Sequence, residues 1–314
     1  MARQSSFVGI EVTMPPVHVI GHGAIGSLML ANGQLQNMAM SAYVRNASSV
    51  TKTVVTLDQQ IVSLPSPVLR VTPLPQHCII VVPVKAYQVE AVLNDLAKHI
   101  THNHTAVLMH NGMGSQTLVS KLLPHHAIYY ATTSYAAKKD KQQVCVTGHG
   151  QTYLGPATAL AQQDIERGKQ VEDILSALLP PVTYCHDIEQ ILWQKLVINA
   201  CINPLTAIYK VNNGGLLDSV YQPAVEQLIL QCFNVMQALQ MTASLSQLRQ
   251  SVYTVIEQTA NNHSSMYQDI KHKRPTEIDF INGYVVQQGL KTGVDVSAHQ
   301  DAMLKIRQME AKYL

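Results

Sequence analysis

Residues 17–26 read V-H-V-I-G-H-G-A-I-G, an apolar run that stops at glycine and continues as G-x-G-x-x-G. Val17–Ile20 fits a buried parallel strand. Gly21 then permits the tight turn out of that strand, Gly23 lets a pyrophosphate approach bare backbone, and Gly26 lets the next helix pack closely. A helix opening at Ala24 directs its N-terminal N–H groups and the positive end of its dipole at such phosphates. Ile25, Leu28, Met29 and Leu35 keep a helical apolar stripe behind the loop. The strand–glycine–helix context that dinucleotide binding requires is therefore met. Gly21, His22, Gly23, Ala24, Ile25 and Gly26 are the expected cofactor loop, with His22 contributing only its backbone.

Outward from this loop, short apolar runs alternate with helical patterns up to about residue 135. Residues 77–84, 105–109 and 127–132 read as further strands, the second leading into the turn-like Asn111-Gly112-Met113-Gly114. This rhythm predicts an α/β fold: a Rossmann-type, doubly wound, mostly parallel sheet. Strand-like runs at 144–147 and 151–154 flank Gly148-His149-Gly150 and suggest a hairpin appended to the sheet. A helical stretch at 171–179 ends at Pro180-Pro181, and 182–185 closes the first domain. From Asp187 only long amphipathic patterns follow, at 188–203, 223–240, 245–260 and 276–290, which predicts an all-helical C-terminal domain. The expected division is 1–186, binding the dinucleotide, and 187–314, with residues 1–16 a short extension and a cleft between the domains.

A chain of 314 residues is long enough for two such domains. Its net charge of +2 gives no electrostatic case for nucleic acid or an anionic membrane. No apolar run approaches the ~18 residues of a spanning segment, and residues 1–16 lack a signal-peptide pattern. The cysteines, Cys78, Cys145, Cys185, Cys201 and Cys232, are widely spaced and odd in number, which suits reduced thiols in the cytoplasm. The closest histidine pairs, His102/His104 and His125/His126, have no carboxylate or cysteine at ligand spacing, so no metal site is expected. Helical faces in the second domain would serve equally for a core or a homodimer.

The second strand, near 39–44, ends at Arg45 with no Asp or Glu to hold a ribose 2′-hydroxyl. A guanidinium instead pairs a 2′-phosphate through two hydrogen bonds, which favours NADP over NAD. Ser48, Ser49 and Lys52 add donors nearby.

Chemistry is suggested by W-Q-K-L-V-I-N-A-C-I-N-P at 193–204. Lys195, Asn199 and Asn203 recur at i, i+4 and i+8 and line one face of a helix that is apolar in most other directions. A lysine and two amides on a buried helix need polar partners, which a groove facing a polar ligand provides. Opposite charge is offered by S-S-M-Y-Q-D-I-K-H-K-R-P-T-E-I-D-F-I-N-G at 264–283. Pro275-Thr276-Glu277 resembles a helix start, placing Glu277 in a first turn where the dipole favours its charged form.

The stretches G-H-G-A-I-G, V-K-A-Y-Q-V, H-N-G-M-G, K-L-V-I-N-A-C-I-N-P-L-T-A-I and T-E-I-D-F-I-N-G occur in order, and as a set the chain resembles ketopantoate reductase (2-dehydropantoate 2-reductase) from about residue 17 onward. That resemblance implies NADPH-dependent reduction of 2-dehydropantoate to pantoate in pantothenate synthesis. It implies Lys195 as proton donor and Glu277 as the acidic residue beside substrate and nicotinamide. It also implies Asn199, Asn203, Asn213 and Ser265 as substrate contacts, and Lys85, Asn111 and the backbone at Ala137 as cofactor contacts. Arg45 matches the family's 2′-phosphate arginine, in agreement with the charge argument. Two other readings stay open: a related reductase of another 2-keto acid or an imine, and a non-catalytic NADP sensor.

Overall fold

Val17–Ile20 is a strand, and the fold grows from it. The computed structural model describes residues 14–45, 50–68 and 74–314. Residues 1–13 of the expected extension, and Ser48 and Ser49, lie outside the described residues. The chain runs β1 (Val17–Ile20), α1 (Ala24–Leu35), β2 (Met40–Tyr43), β3 (Thr53–Val55), β4 (Ile61–Ser63), β5 (Ile79–Val82), α2 (Ala86–Leu96), β6 (Thr105–Leu108) and α3 (Ser115–Leu122). It continues as β7 (Ala127–Thr133), β8 (Ala136–Asp140), β9 (Gln143–Gly148), β10 (Thr152–Pro156), α4 (Ala159–Gln163), α5 (Ile165–Leu178) and β11 (Val182–Tyr184). Helices follow: α6 (Ile188–Tyr209), α7 (Gln222–Ala238), α8 (Leu245–Gln258), α9 (Ser265–Lys271), α10 (Asn282–Thr292) and α11 (Ser297–Glu310).

The main sheet has the order β11-β10-β7-β6-β5-β1-β2. Parallel pairing links β2, β1, β5, β6 and β7, whose apolar runs are buried on both faces beneath the flanking helices. Chain order reverses direction at the β1–β5 boundary, so a crevice opens there at the carboxyl ends of the strands. Gly26 makes the first crossover fit, since a Cβ on it would lie 2.4 Å from the carbonyl oxygen of Gly21. The expected mostly parallel, doubly wound sheet followed by helices is thus what the chain adopts.

Several local expectations differ. The strands around Gly148-His149-Gly150 do not pair as a hairpin. β10 joins the main sheet antiparallel to β7, while β9 belongs to a second sheet of order β4-β3-β9-β8. Backbone at Ser134–Tyr135 presses on Gly150, where a Cβ would meet Tyr135 N at 2.1 Å, and the chain changes sheet there. The helix expected from residue 276 begins at Asn282 instead. Residues 277–281 form a turn whose Phe280 carbonyl accepts from Met113 N at 2.9 Å, a tertiary bond that takes an acceptor a helix would have used.

By length and apolar content α6 meets the measure of a membrane-spanning helix, which run length alone passed over, but 67% of that window is buried within the protein. It is the core helix of the second half. It also contains Pro204, which has no N–H to give the carbonyl of Ala200. Asn282, fully buried at the start of α10, supplies the missing donor: its Nδ2 lies 3.0 Å from Ala200 O. The same amide reaches His299 Nδ1 on α11, also at 3.0 Å. One side chain therefore joins three helices around the proline. Asn282→Ala should lower unfolding free energy in urea by about 1–3 kcal/mol, the range for a buried carbonyl left unpaired. Adding Pro204→Ala restores an N–H and should recover much of that loss in a double-mutant cycle; strictly additive effects would show that the two residues are not coupled.

Candidate active site

The residues expected to hold the cofactor follow the carboxyl ends of neighbouring strands: the glycine loop after β1, Arg45 after β2, Lys85 after β5 and Asn111 after β6. Ala137 lies just beyond β7, at a bulge in β8. Gly21 has φ +119°, a conformation open mainly to glycine. Gly23 is the N-cap of α1, no side chain bonds the first-turn amides, and a Cβ there would meet nothing within 4 Å. Bare backbone, free amides and open space fit a pyrophosphate. Ala24, Ile25 and Gly26 form that first turn. Arg45 is exposed at the end of the β2 segment.

His22 corrects the expectation that only its backbone matters. The ring is 4% exposed, its Nδ1 accepts from Thr51 N at 2.9 Å, and its carbonyl accepts from Thr51 Oγ1 at 3.0 Å and Lys139 Nζ at 2.9 Å. Burial, aided by the charge of Lys139, pushes its pKa down to about 4, so the imidazole is neutral.

Glu277 is not in the first turn of its own helix. The dipole argument nevertheless applies to a different one. Its Oε1 accepts from Ala86 N at 2.9 Å, at the N-terminus of α2. Its Oε2 accepts from Lys85 Nζ at 3.1 Å and Asn111 Nδ2 at 3.3 Å. Lys85 also reaches Asp269 Oδ2 at 2.9 Å, and Arg274 Nε holds the other oxygen of Asp269 at 3.0 Å. Both carboxylates are buried. Burial pulls the Lys85 pKa down, but Glu277 and Asp269 together outweigh it and leave the pKa raised. The Asn111 loop is braced in turn by His110, whose Nδ1 lies 3.0 Å from Asn111 O and whose Nε2 lies 2.8 Å from Ser115 Oγ.

Lys195 donates to Thr132 Oγ1 at 2.7 Å and Thr133 O at 2.8 Å, at the end of β7. Burial pushes its pKa down to about 8, against the opposing pull of Glu277. Asn199 and Asn203 follow on the same helix, and neither side chain makes a hydrogen bond among the described residues. Ser264 and Ser265 divide their roles. Ser264 caps α9, accepting from Tyr267 N at 3.1 Å and lying 2.7 Å from Thr206 Oγ1, while Ser265 is exposed. Among the described residues Asn213 makes no hydrogen bond to this cluster. Its Nδ2 is committed to Thr259 Oγ1 at 2.8 Å, and its Oδ1 is buried without a partner among the described residues.

The structure thus brings Lys85, Asn111 and Glu277 into contact and sets Lys195 within their field. Sequence reasoning missed the anchoring by Thr132, Thr133 and His110. In the sequence Asp269 shows only as one more charge within residues 264–283. Among the described residues no group of His, Cys, Asp and Glu could hold a metal ion. His104 instead braces a loop, with Nε2 2.8 Å from Pro75 O. The five cysteines are free thiols.

A dinucleotide crevice closed by a charged, largely buried cluster defines a nicotinamide-dependent oxidoreductase. Residues 17–159 match the family described as ketopantoate reductase PanE/ApbA, and residues 187–310 match its C-terminal region. A 2-dehydropantoate 2-reductase of Vibrio cholerae serotype O1 is 40% identical over 236 residues, covering 75% of this chain and 78% of the relative. One from Yersinia pestis is 29% identical over 310 residues, 95% and 96% of the two chains. In fold, the chain is similar to D-mandelate dehydrogenase solved with NADH and anilino(oxo)acetate (TM-score 0.86, 22% identity, 95% and 99% covered). The chain belongs to the ketopantoate reductase family.

Two loop glycines separate binding from folding. Gly23→Val should leave urea stability nearly unchanged, because its Cβ meets open space, yet abolish most cofactor binding in a fluorescence titration. Gly26→Ala should destabilise the apo protein by about 1–3 kcal/mol through overpacking. Lys85→Met should cost about 2 kcal/mol in the same unfolding assay. That is below the ~3–5 kcal/mol of a fully buried broken pair, because 34% of the Lys85 side chain stays in solvent.

Proposed function

We propose that this protein reduces 2-dehydropantoate to (R)-pantoate with NADPH in the cytoplasm, as a step of pantothenate synthesis, with Lys195 as the proton donor. Residues 1–186 hold NADP(H) and 187–314 complete the site around the substrate. The observation that carries this reading is a desolvated Lys195, its pKa near 8, on the same helical face as two amides with unused hydrogen-bonding groups. Family membership and relatives named 2-dehydropantoate 2-reductase support the substrate.

When bound, NADPH supplies the hydride to the ketone carbon. As that carbon is reduced its oxygen gains alkoxide character, and a cation with a transferable proton must lie beside it. Lys195 is protonated at neutral pH and acidic enough to give the proton up. Asn199 and Asn203 present amides to the substrate's carboxylate and hydroxyl groups, with Asn213 Oδ1 and Ser265 contributing from neighbouring segments. Glu277, fixed by Lys85, Ala86 N and Asn111, lies beside substrate and nicotinamide and keeps negative charge near Lys195. Lys85, Asn111 and the Ala137 backbone line the cofactor, and Arg45 pairs the 2′-phosphate.

NADPH oxidation measured with a panel of 2-keto acids should be fastest with 2-dehydropantoate; turnover of another keto acid without this one would sink the substrate assignment. Lys195→Ala should lower kcat roughly 10²- to 10⁴-fold, the usual worth of a general acid. Because Lys195 acts in its protonated form, kcat should be level at neutral pH and fall as pH rises through about 8. A profile flat to pH 10 would remove Lys195 from the proton transfer.

A further inference from the structure

We infer that His110 is a positioning residue for the reduction: its ring locks the Asn111–Gly112 peptide, and through that loop it holds Glu277 in place. This rests on the reading of Asn111 and Glu277 as active-site groups. No step of the proposed reaction uses His110, yet its ring lies within the fields of both Glu277 and Lys195.

The loop needs a lock from a side chain. Residues 110–114 read H-N-G-M-G, and Gly112 and Gly114 have φ +75° and +110°. A peptide next to glycine turns over readily, since glycine accepts either sign of φ. His110 Nδ1 lies 3.0 Å from Asn111 O, and its Nε2 lies 2.8 Å from the Oγ of Ser115, the first residue of α3. A carbonyl only accepts, so Nδ1 carries a proton and donates. Burial holds the pKa of the ring below the ordinary histidine value, against the pull of the Asn111 carbonyl and Glu277. At neutral pH Nε2 is therefore left to accept from the Ser115 hydroxyl. Ser115 Oγ is itself 3.3 Å from the Tyr130 hydroxyl on β7, so the far end of the lock is tied to the sheet. The ring spans the loop from its entry to α3 and fixes which way the Asn111 carbonyl points. Turning that peptide over would break the Nδ1 bond and shift the chain on either side of it. That chain makes both contacts by which the loop holds the segment bearing Glu277: Asn111 Nδ2 to Glu277 Oε2, and Met113 N to Phe280 O.

The test is kcat of the full-length protein with saturating NADPH and the 2-keto acid it reduces fastest, beside a fluorescence titration with NADPH. His110→Leu should lower kcat roughly tenfold, as for one lost hydrogen bond. The Kd for NADPH should change less than about threefold, because the pyrophosphate loop is untouched. His110→Asn sets an amide near the place of Nδ1 and should keep kcat within about threefold of wild type. His110→Gln sets its amide near the place of Nε2, reaches Ser115 but not Asn111 O, and should lose kcat as leucine does. The asparagine–glutamine contrast decides the matter should the leucine variant fail to fold. Because His110 acts through Glu277, adding His110→Leu or His110→Gln to Glu277→Gln should cost less than about threefold beyond Glu277→Gln alone. Unchanged kcat, equal values for asparagine and glutamine, or the full tenfold repeated in the double variant overturns the role of His110 while leaving Glu277 in the site. Wild-type kcat in Glu277→Gln overturns the reading of Glu277, and this inference with it.

Discussion

Glu277 is the anchor of the molecule. A buried carboxylate is tolerated only where its charge is met, since the desolvation penalty is several kcal/mol. It is met by Ala86 N, Lys85 Nζ and Asn111 Nδ2, all at the carboxyl ends of β5 and β6. The helical half must therefore seat over the crevice where those donors converge. Asp269, gripped by Lys85 and Arg274, adds a second ionic contact from α9. The carbonyl of Phe280, bonded to Met113 N, fixes the turn that carries Glu277 against the Asn111 loop. Gly112 is required there, with φ +75° and a Cβ that would come within 2.4 Å of Phe280 O.

These contacts mark where the sequence stops being legible. The glycine loop, the buried strands and the long apolar helix were readable because each rests on local periodicity. The turn at 277–281 was not. Ile278, Ile281 and Val285 keep helical spacing, and all three are buried, but a distant amide claims the Phe280 carbonyl. The second sheet escaped notice for a different reason. β3 and β4 have three residues each, and β8 reads A-A-K-K-D without apolar alternation. Their pairing is decided by what packs over α1, which no window of sequence contains. Lys85 followed a strand end like many surface lysines, and only the fold supplies the two carboxylates that employ it. His22 could be dismissed for the same reason, since its partners lie 29 and 117 residues away.

Proline in α6 shows how a local defect becomes a long-range constraint. Pro204 frees the carbonyl of Ala200, midway between Asn199 and Cys201, and a buried carbonyl of this kind is costly to leave unpaired. Asn282 answers it from α10, five residues after Glu277. The sequence features N-P in one helix and N-G at the start of another are thus two halves of one hydrogen bond. Through it, the face bearing Lys195, Asn199 and Asn203 is held in register with the segment bearing Glu277, so the site's two charges are placed by a backbone vacancy rather than by their attraction alone.

Two lysines lie near Glu277, and their environments separate their roles. Lys85 contacts two buried carboxylates, and their combined pull overcomes burial and leaves its pKa raised. Such an ammonium gives up its proton poorly at neutral pH; it serves as a fixed positive charge. Among the described residues Lys195 has only neutral oxygens as hydrogen-bond partners, those of Thr132 and Thr133, so burial prevails and its pKa falls to about 8. Paired groups whose environments push their acidities apart divide the labour of an active site between structure and proton transfer. Reversing the assignment would require Lys85 to abandon Glu277 and Asp269, which would expose both carboxylates to the penalty that anchors the fold. Lys195 has no such carboxylate partner, so in the proposed reaction it would exchange a threonine hydroxyl for a developing alkoxide without such a loss.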